Sequence, residues 1–179
     1  MSSKKDVKIN DYAGQIIDLL PQGLLLNTNG EKFDSMIIGW GHLGVIWGRP
    51  TFHAYVRTHR FTKKQLDETG EFTISVPVNG MDKEIFKLCG TLSGWNLDKA
   101  EGVTLEEPRT NHTPGVREYP LTIECKILYS QEMPLDKIPE DICAKMYPQD
   151  VDSSYYRANC DPHTMYVGEI VDAYLIEEE

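Results

Sequence analysis

No run of apolar residues in this chain approaches the roughly 20 that an α-helix needs to cross a bilayer. The opening residues, MSSKKDVKIN, lack the apolar centre of a secretory signal, so neither a membrane span nor export is expected and the cytoplasm is the expected location. Cysteine is sparse: Cys89, Cys125, Cys143 and Cys160 stand far apart with no CxxC pair, which argues against a disulfide framework or a zinc cluster and for free thiols. His42, His53, His59, His112 and His163 show no HxxxH or HExxH spacing, so no metal site is predicted. Neither Ser75 nor Ser93 has the GxSxG context of a hydrolase nucleophile, and no pair of catalytic carboxylates stands out. Basic residues are in the minority, 18 Lys and Arg against 28 Asp and Glu, for a formal charge of −10. That excess argues against a surface built to neutralise nucleic-acid phosphates or anionic lipid. A small basic cluster can still hold a single phosphate.

What is present fits one domain, residues 1–179, long enough to bury a sizeable core. Polar residues 1–10 are expected to fray or to stand off as an arm. Residues 12–20 predict a short helix ended by Pro21. Asn29-Gly30, between the apolar runs 23–26 and 33–38, predicts a hairpin. Residues 51–57 alternate, with Phe52, Ala54 and Val56 on a core face and His53, Tyr55 and Arg57 on a face available for contact. Thr62 reads as a helix N-cap with Gln65 at the capping-box position, and Gly70 closes that helix. Strands are predicted at 71–76, 119–133 and 163–176, the last apolar on both faces and therefore central. Short helical stretches are predicted at 82–88 and 139–147, within an otherwise patternless segment 134–161. Six or seven strands without regular strand–helix alternation predict a mainly β protein with short helices, an antiparallel barrel.

The densest stretch is residues 33–62, FDSMIIGWGHLGVIWGRPTFHAYVRTHRFT. Gly39, Gly41 and Gly44 form a GxGxxG after a strand, but a dinucleotide fingerprint needs a helix at the third glycine and an acid about 20 residues on. Here Val45 to Pro50 cannot make that helix, and Lys63 and Lys64 stand where the acid belongs. The expectation that survives is a glycine-rich turn, Gly39 to Gly48 between Trp40 and Trp47, bringing backbone amides against a flat ring. Arg57, Thr58, His59, Arg60 and Thr62 gather at a strand end before a helix N-terminus, a plausible phosphate cradle. Equally, they can be solvated charges pairing with Glu68, Glu71 or residues 177–179. Cys89 is either a reactive thiol or a small buried residue.

In this order and spacing, five segments make the chain resemble the flavin reductase-like proteins, and among them the flavoredoxin-like members. They are MIIGWG at 36–41, Pro50 leading to VRTHRFT at 56–62, GEFTISVP at 70–77, CGTLSG at 89–94 with Asp98-Lys99, and HTMYVGEI at 163–170. The resemblance covers about residues 23–174. It implies an antiparallel FMN-binding split β-barrel, a homodimer with FMN near the interface, and electron transfer from NADH or NADPH through FMN to an acceptor. It further implies that Met36, Ile37, Ile38, Gly39, Trp40 and Gly41 line the ring. Arg57, Thr58, His59, Arg60 and Thr62 would hold the phosphate, and Cys89, Ser93, Gly94 and Lys99 would close over the flavin. His163 matches a histidine on the nicotinamide-facing side, the one catalytic residue implied. Asp161-Pro162-His163 stands where the reductases proper carry Gly-Asp-His, and His59 where many relatives have serine. The first difference favours an alternative, a flavoredoxin-like electron-transfer protein reduced by a partner protein without a nicotinamide site of its own. A pyridoxamine phosphate oxidase-like or haem-binding member of the fold fits the quoted segments less well.

Overall fold

A computed structural model describes residues 2–152 and 160–178. Ten strands are found among them: β1 Ser2–Asp6, β2 Leu24–Asn29, β3 Phe33–Ile38, β4 Gly41–Ile46, β5 Arg49–Arg57, β6 Glu71–Val76, β7 Leu105–Glu106, β8 Gly115–Val116, β9 Leu121–Glu132 and β10 His163–Glu178. The α-helices are α1 Ile9–Leu19, α2 Phe61–Thr69, α3 Lys83–Thr91 and α4 Glu140–Met146. No described helix is long and apolar enough to cross a membrane.

The main sheet runs β3-β2-β6-β9-β10-β5-β4, every pairing antiparallel. Its outer strands, β3 and β4, are joined in sequence by Gly39 and Trp40 alone. In a flat sheet six strand spacings would separate them by about 29 Å, whereas three Cα steps reach at most about 11 Å. The sheet must therefore roll up until its two edges meet, and they meet without a ladder between them. This is a split barrel, and the split lies at Gly39-Trp40.

The 16-residue β10 is the spine, paired along one edge with β9 and along the other with β5 and then β1. The polar segment expected to fray supplies that last strand, because backbone pairing to β10 does not require apolar side chains. Inside the barrel Leu24, Leu26, Phe52, Ala54, Val56, Phe72, Ile74 and Ile123 are buried, with Ile16 of α1 among them. Leu25 and Phe33 face outward under α3, against Ile85 and Cys89. Barrel core on one side and α3 on the other explain why Leu24, Leu25 and Leu26 are all buried.

The expected glycine-rich turn is not one turn. Residues 41–46 are the edge strand β4, and the reversal is the two-residue link Trp47-Gly48, both with positive φ (53° and 71°), the mirror-image turn that suits hairpin twist. Gly41 is required by close approach, since a Cβ there would meet the His53 carbonyl oxygen at 3.0 Å. Nor does Thr62 cap α2: Arg60 occupies the cap, and Gln65 accepts from the backbone N–H groups of Gly30 and Lys32, stapling the β2–β3 loop. Gly70 does close α2, at φ 69°. The helical stretch expected at 82–88 runs further, because α3 continues through Thr91.

Gly168, in the middle of β10, lies against the fully buried Phe72. An added Cβ would come within 2.5 Å of Phe72 Cζ and 3.0 Å of Cys125 Cβ. Gly168→Ala is therefore expected to destabilise the protein by about 1–3 kcal/mol through overpacking, read as a lower urea midpoint at unchanged slope.

Candidate functional site

A cleft follows the split. At its wide end the floor is Met36, Ile37 and Ile38 of β3 with Gly39 and Trp40 of the link, and its sides are Tyr55 and Arg57 of β5, Arg60 and His163. Across Met36, Ile37 and Arg60 it continues into a narrower hollow between α2 and the chain after α3, bounded by Phe61, Thr62, Cys89, Gly90, Leu92, Ser93 and Gly94. One end is thus wide, with strand backbone and apolar side chains as its floor and polar groups along its sides, and the other is small; both are lined mostly by polar surface.

At the narrow end the first turn of α2 opens on Arg60, whose backbone is extended and caps the helix without a side-chain hydrogen bond. The first-turn N–H groups carry the positive end of the helix dipole toward the hollow. Burial lowers the Arg60 pKa, opposed by the charges of Asp161 and Asp34, and a guanidinium stays charged regardless. Beneath it Asp34 is 1% exposed. Its carboxylate accepts from Thr62 Oγ1 at 2.6 Å and pairs with Lys99 Nζ at 3.0 Å, and Lys99 also donates to the Ser35 carbonyl. Asp34 thus ties β3, α2 and the 310 turn Lys99–Gly102 into one wall. Gly94 completes it, because a Cβ there would stand 2.4 Å from Asp34 Oδ1. Cys89 is the small buried alternative rather than a reactive thiol: burial raises its pKa, and the Ser35 hydrogen bond and the Lys99 charge offset this only in part.

At the wide end Arg57 donates to the carbonyls of Asp161 and Met146 at 2.7 and 2.9 Å, and its guanidinium lies 4.9 Å from the Tyr147 ring centroid. His163 faces Arg57 across the β5–β10 ladder. Its Nδ1 is 2.8 Å from the Tyr147 hydroxyl, and its ring lies 4.6 Å from that of Trp40. Burial first, then the charges of Arg57, Arg60 and His59, bring the His163 pKa down to about 3. It is a neutral imidazole near pH 7.

The flavin reductase like domain model matches residues 36–179, a span that includes both ends of the cleft. The chain belongs to the flavin reductase-like family. Among solved structures, this flavin reductase-like chain is similar to flavoredoxin from Methanosarcina acetivorans, at 25% identity and a TM-score of 0.65 over 87% of this chain and 68% of that one. The NADH:FAD oxidoreductase of Streptomyces globisporus shares the fold at 13% identity and a TM-score of 0.60, over 86% of this chain and 74% of that one. An uncharacterized protein of Archaeoglobus fulgidus is 33% identical over 75 residues, 41% of this chain and 42% of its own length. The chain spans less than half the length of the curated relatives it matches.

Of the residues expected at the site of this flavin reductase-like protein, Met36, Ile37, Ile38, Gly39, Trp40, Arg57, Arg60, Thr62, Cys89, Ser93, Gly94, Lys99 and His163 line the cleft. Gly41 lines an adjoining hollow. Thr58 and His59 line neither. The Thr58 hydroxyl donates to the Pro162 carbonyl; His59 Nδ1 sits 2.5 Å from Asp161 Oδ2, and its carbonyl accepts from Trp95 Nε1. Lys99, expected to close over the flavin, has its charge matched by Asp34 below the hollow. Trp95 packs on Phe61, the ring centroids 5.0 Å apart. Asp34 and Phe61 were missed, and no spacing in the sequence marks either. Tyr55 was placed on the contact face by alternation.

Because the folded-state pKa of His163 lies below its ordinary 6.5, unfolding takes up a proton between the two values. The stability that the neutral ring contributes is present above about pH 6.5 and is lost as pH falls toward 3. Ring 15N shifts of His163 are therefore expected to stay those of a neutral imidazole down to pH 5. A midpoint near 6.5 would contradict the buried geometry.

Proposed function

We propose that the chain binds FMN along the split and works as a flavoprotein oxidoreductase of the flavin reductase type, passing electrons from NADH or NADPH through FMN to an acceptor. The carrying observation is the two-ended cleft: a flat floor of backbone and apolar side chains at residues 36–40, joined to a hollow with a guanidinium and a helix N-terminus. These residues fit the group. Met36, Ile37, Ile38, Gly39 and Trp40 would lie against the isoalloxazine. Arg60, Thr62, Ser93 and Gly94 would surround the phosphate, which the α2 dipole and the Arg60 charge favour. Family membership and the likeness to flavoredoxin and to an NADH:FAD oxidoreductase support the same reading.

Bound FMN supplies the redox chemistry; the chain's own residues hold, orient and shield it. The Asp34–Lys99 pair fixes the phosphate end without adding net charge there. Arg57 acts at one remove, holding the carbonyls of Met146 and Asp161, and so setting the position of Tyr147 and His163. In the proposed homodimer, edge strand β4 and its hairpin tip, where Val45 and Trp47 are 75% and 63% exposed, would meet the second subunit beside the cleft.

A second reading, an electron-transfer flavoprotein served by a redox partner protein, is favoured by one observation. His163 is buried, held by Tyr147 and packed against Trp40, so it is not poised to meet a nicotinamide. Anaerobic mixing with NADH and NADPH separates the two readings: bleaching of the flavin absorbance by either supports the reductase, and none by both supports the partner-fed protein.

Arg60→Ala is expected to weaken FMN binding roughly 10- to 100-fold, the scale of a charge-assisted hydrogen bond, while His59→Ala changes it less than about threefold. Quenching of FMN fluorescence on titration checks both. Unaltered affinity in Arg60→Ala would move the phosphate site elsewhere.

A further inference from the structure

Between β9 and β10 the chain leaves the barrel, and the part of that excursion beside the cleft is held down by one side chain. Among the described residues from Pro134 to Asp152, Tyr147 alone is buried, at 3% exposure. Helix α4 within this stretch buries no residue, and its Ile142 is 46% exposed. The Cys143 N–H donates to the Pro139 carbonyl and the Tyr147 N–H to the Cys143 carbonyl, so these bonds fasten the helix to itself and not to the barrel. An element with so little buried apolar surface opens at a fraction of the free energy of global unfolding.

Beside the wide end of the cleft, Tyr147 is the third member of a ring cluster. Its centroid lies 5.5 Å from that of His163 and 6.5 Å from that of Trp40, and the Trp40 and His163 rings are 4.6 Å apart. These are contact separations for aromatic rings, so no further planar ring fits among them, and His163 beneath is 7% exposed. His163 begins β10 and Trp40 belongs to the link that closes the barrel, so the fold fixes the backbone of both. Tyr147 is carried by the excursion. It is held by the 2.8 Å contact between its hydroxyl and His163 Nδ1, by the Arg57 guanidinium 4.9 Å from its ring centroid, and by bonds from Arg57 to the Met146 carbonyl and from Gln149 to the Tyr147 and Cys160 carbonyls.

We propose that residues 139–149 are a flap with Tyr147 as its latch, and that the nicotinamide of NADH or NADPH enters beside Trp40 and His163 only when Tyr147 withdraws. The proposal rests on the reductase reading, and it reconciles the buried His163 with a nicotinamide donor, because the closed form is the resting form. Tyr147 is then a positioning residue that sets the fraction of molecules open to the nucleotide. The apparent affinity for the nucleotide is the intrinsic affinity reduced by that fraction.

The test pairs amide hydrogen exchange with nucleotide affinity. Tyr147→Phe keeps the ring but removes the hydroxyl that meets His163 Nδ1 in the closed form. Exchange at the amides of residues 143 and 147 is expected to quicken roughly 2- to 10-fold, the scale of one hydrogen bond, with or without FMN. In the FMN-loaded protein the apparent dissociation constant for NADH or NADPH, read from anaerobic stopped-flow bleaching of the flavin, should fall by the same factor. Ile142→Ala, an exposed change on the same helix, should move that constant less than about twofold. Exchange that does not quicken, quickened exchange without the gain in nucleotide affinity, or an equal gain in Ile142→Ala would overturn the latch. FMN fluorescence in the same samples keeps the two ideas apart. Bound FMN that is bleached with unchanged affinity in Tyr147→Phe overturns this proposal alone, whereas bound FMN that neither nucleotide bleaches in either protein, or failure to bind FMN, overturns both.

Discussion

Everything functional in this molecule depends on a distance constraint. Two residues, Gly39 and Trp40, join the opposite edges of a seven-strand sheet path, and a chain that short cannot bridge a flat sheet. Closure brings β3 alongside β5 and the start of β10, and it leaves a gap where no ladder forms. The cleft is that gap. Its floor is strand backbone, which is flat, and its ends are set by whatever chain lies above and below the split.

The electrostatics follow from what closure buries. In an acidic chain of formal charge −10, an anion site cannot rest on overall field and must be local. Asp34 is carried into the wall by β3, where Lys99 matches its charge and Thr62 donates to Oδ2, so the net positive character of the hollow comes from Arg60 and the α2 N-terminus. At the other end Arg57 is used structurally. It crosses from β5 to the carbonyls of Met146 and Asp161 and packs on Tyr147, which sits against His163; burial first, and then the Arg57 charge, keep that imidazole neutral. Cations that look equivalent in the sequence therefore take different places, Arg57 on the carbonyls and Arg60 in the lining of the hollow.

Much of this was legible in the residues. Period-two alternation located β5 and β9, strand-rich composition located β6 and β10, the latter apolar on both faces, and Gly70 marked the end of α2 by its left-handed φ. β1, β4, β7 and β8 were not legible. β1 is polar and held by backbone bonds to β10, β4 is an edge strand whose Gly41 and Gly44 erase the alternation, and β7 and β8 have two residues each. At the site, residues 36–40 of the first segment and Cys89, Gly90, Leu92, Ser93 and Gly94 of the second come together with Lys99 around one cleft. The tertiary partners of Thr58 and His59, the Pro162 carbonyl and Asp161, lie about 100 residues away and leave no mark in local spacing. The same holds for Asp34, whose importance comes from three elements meeting on it.

The central claim is a division of the cleft, ring over residues 36–40 and phosphate at Arg60 and the start of α2. A crystal structure of the FMN complex measures it directly. The account predicts a phosphate within hydrogen-bond distance of Arg60 and of the first-turn amides of α2, with the isoalloxazine lying along the Gly39-Trp40 link. A phosphate held by Thr58 and His59, or a ring seated at the Trp47-Gly48 turn, would contradict it.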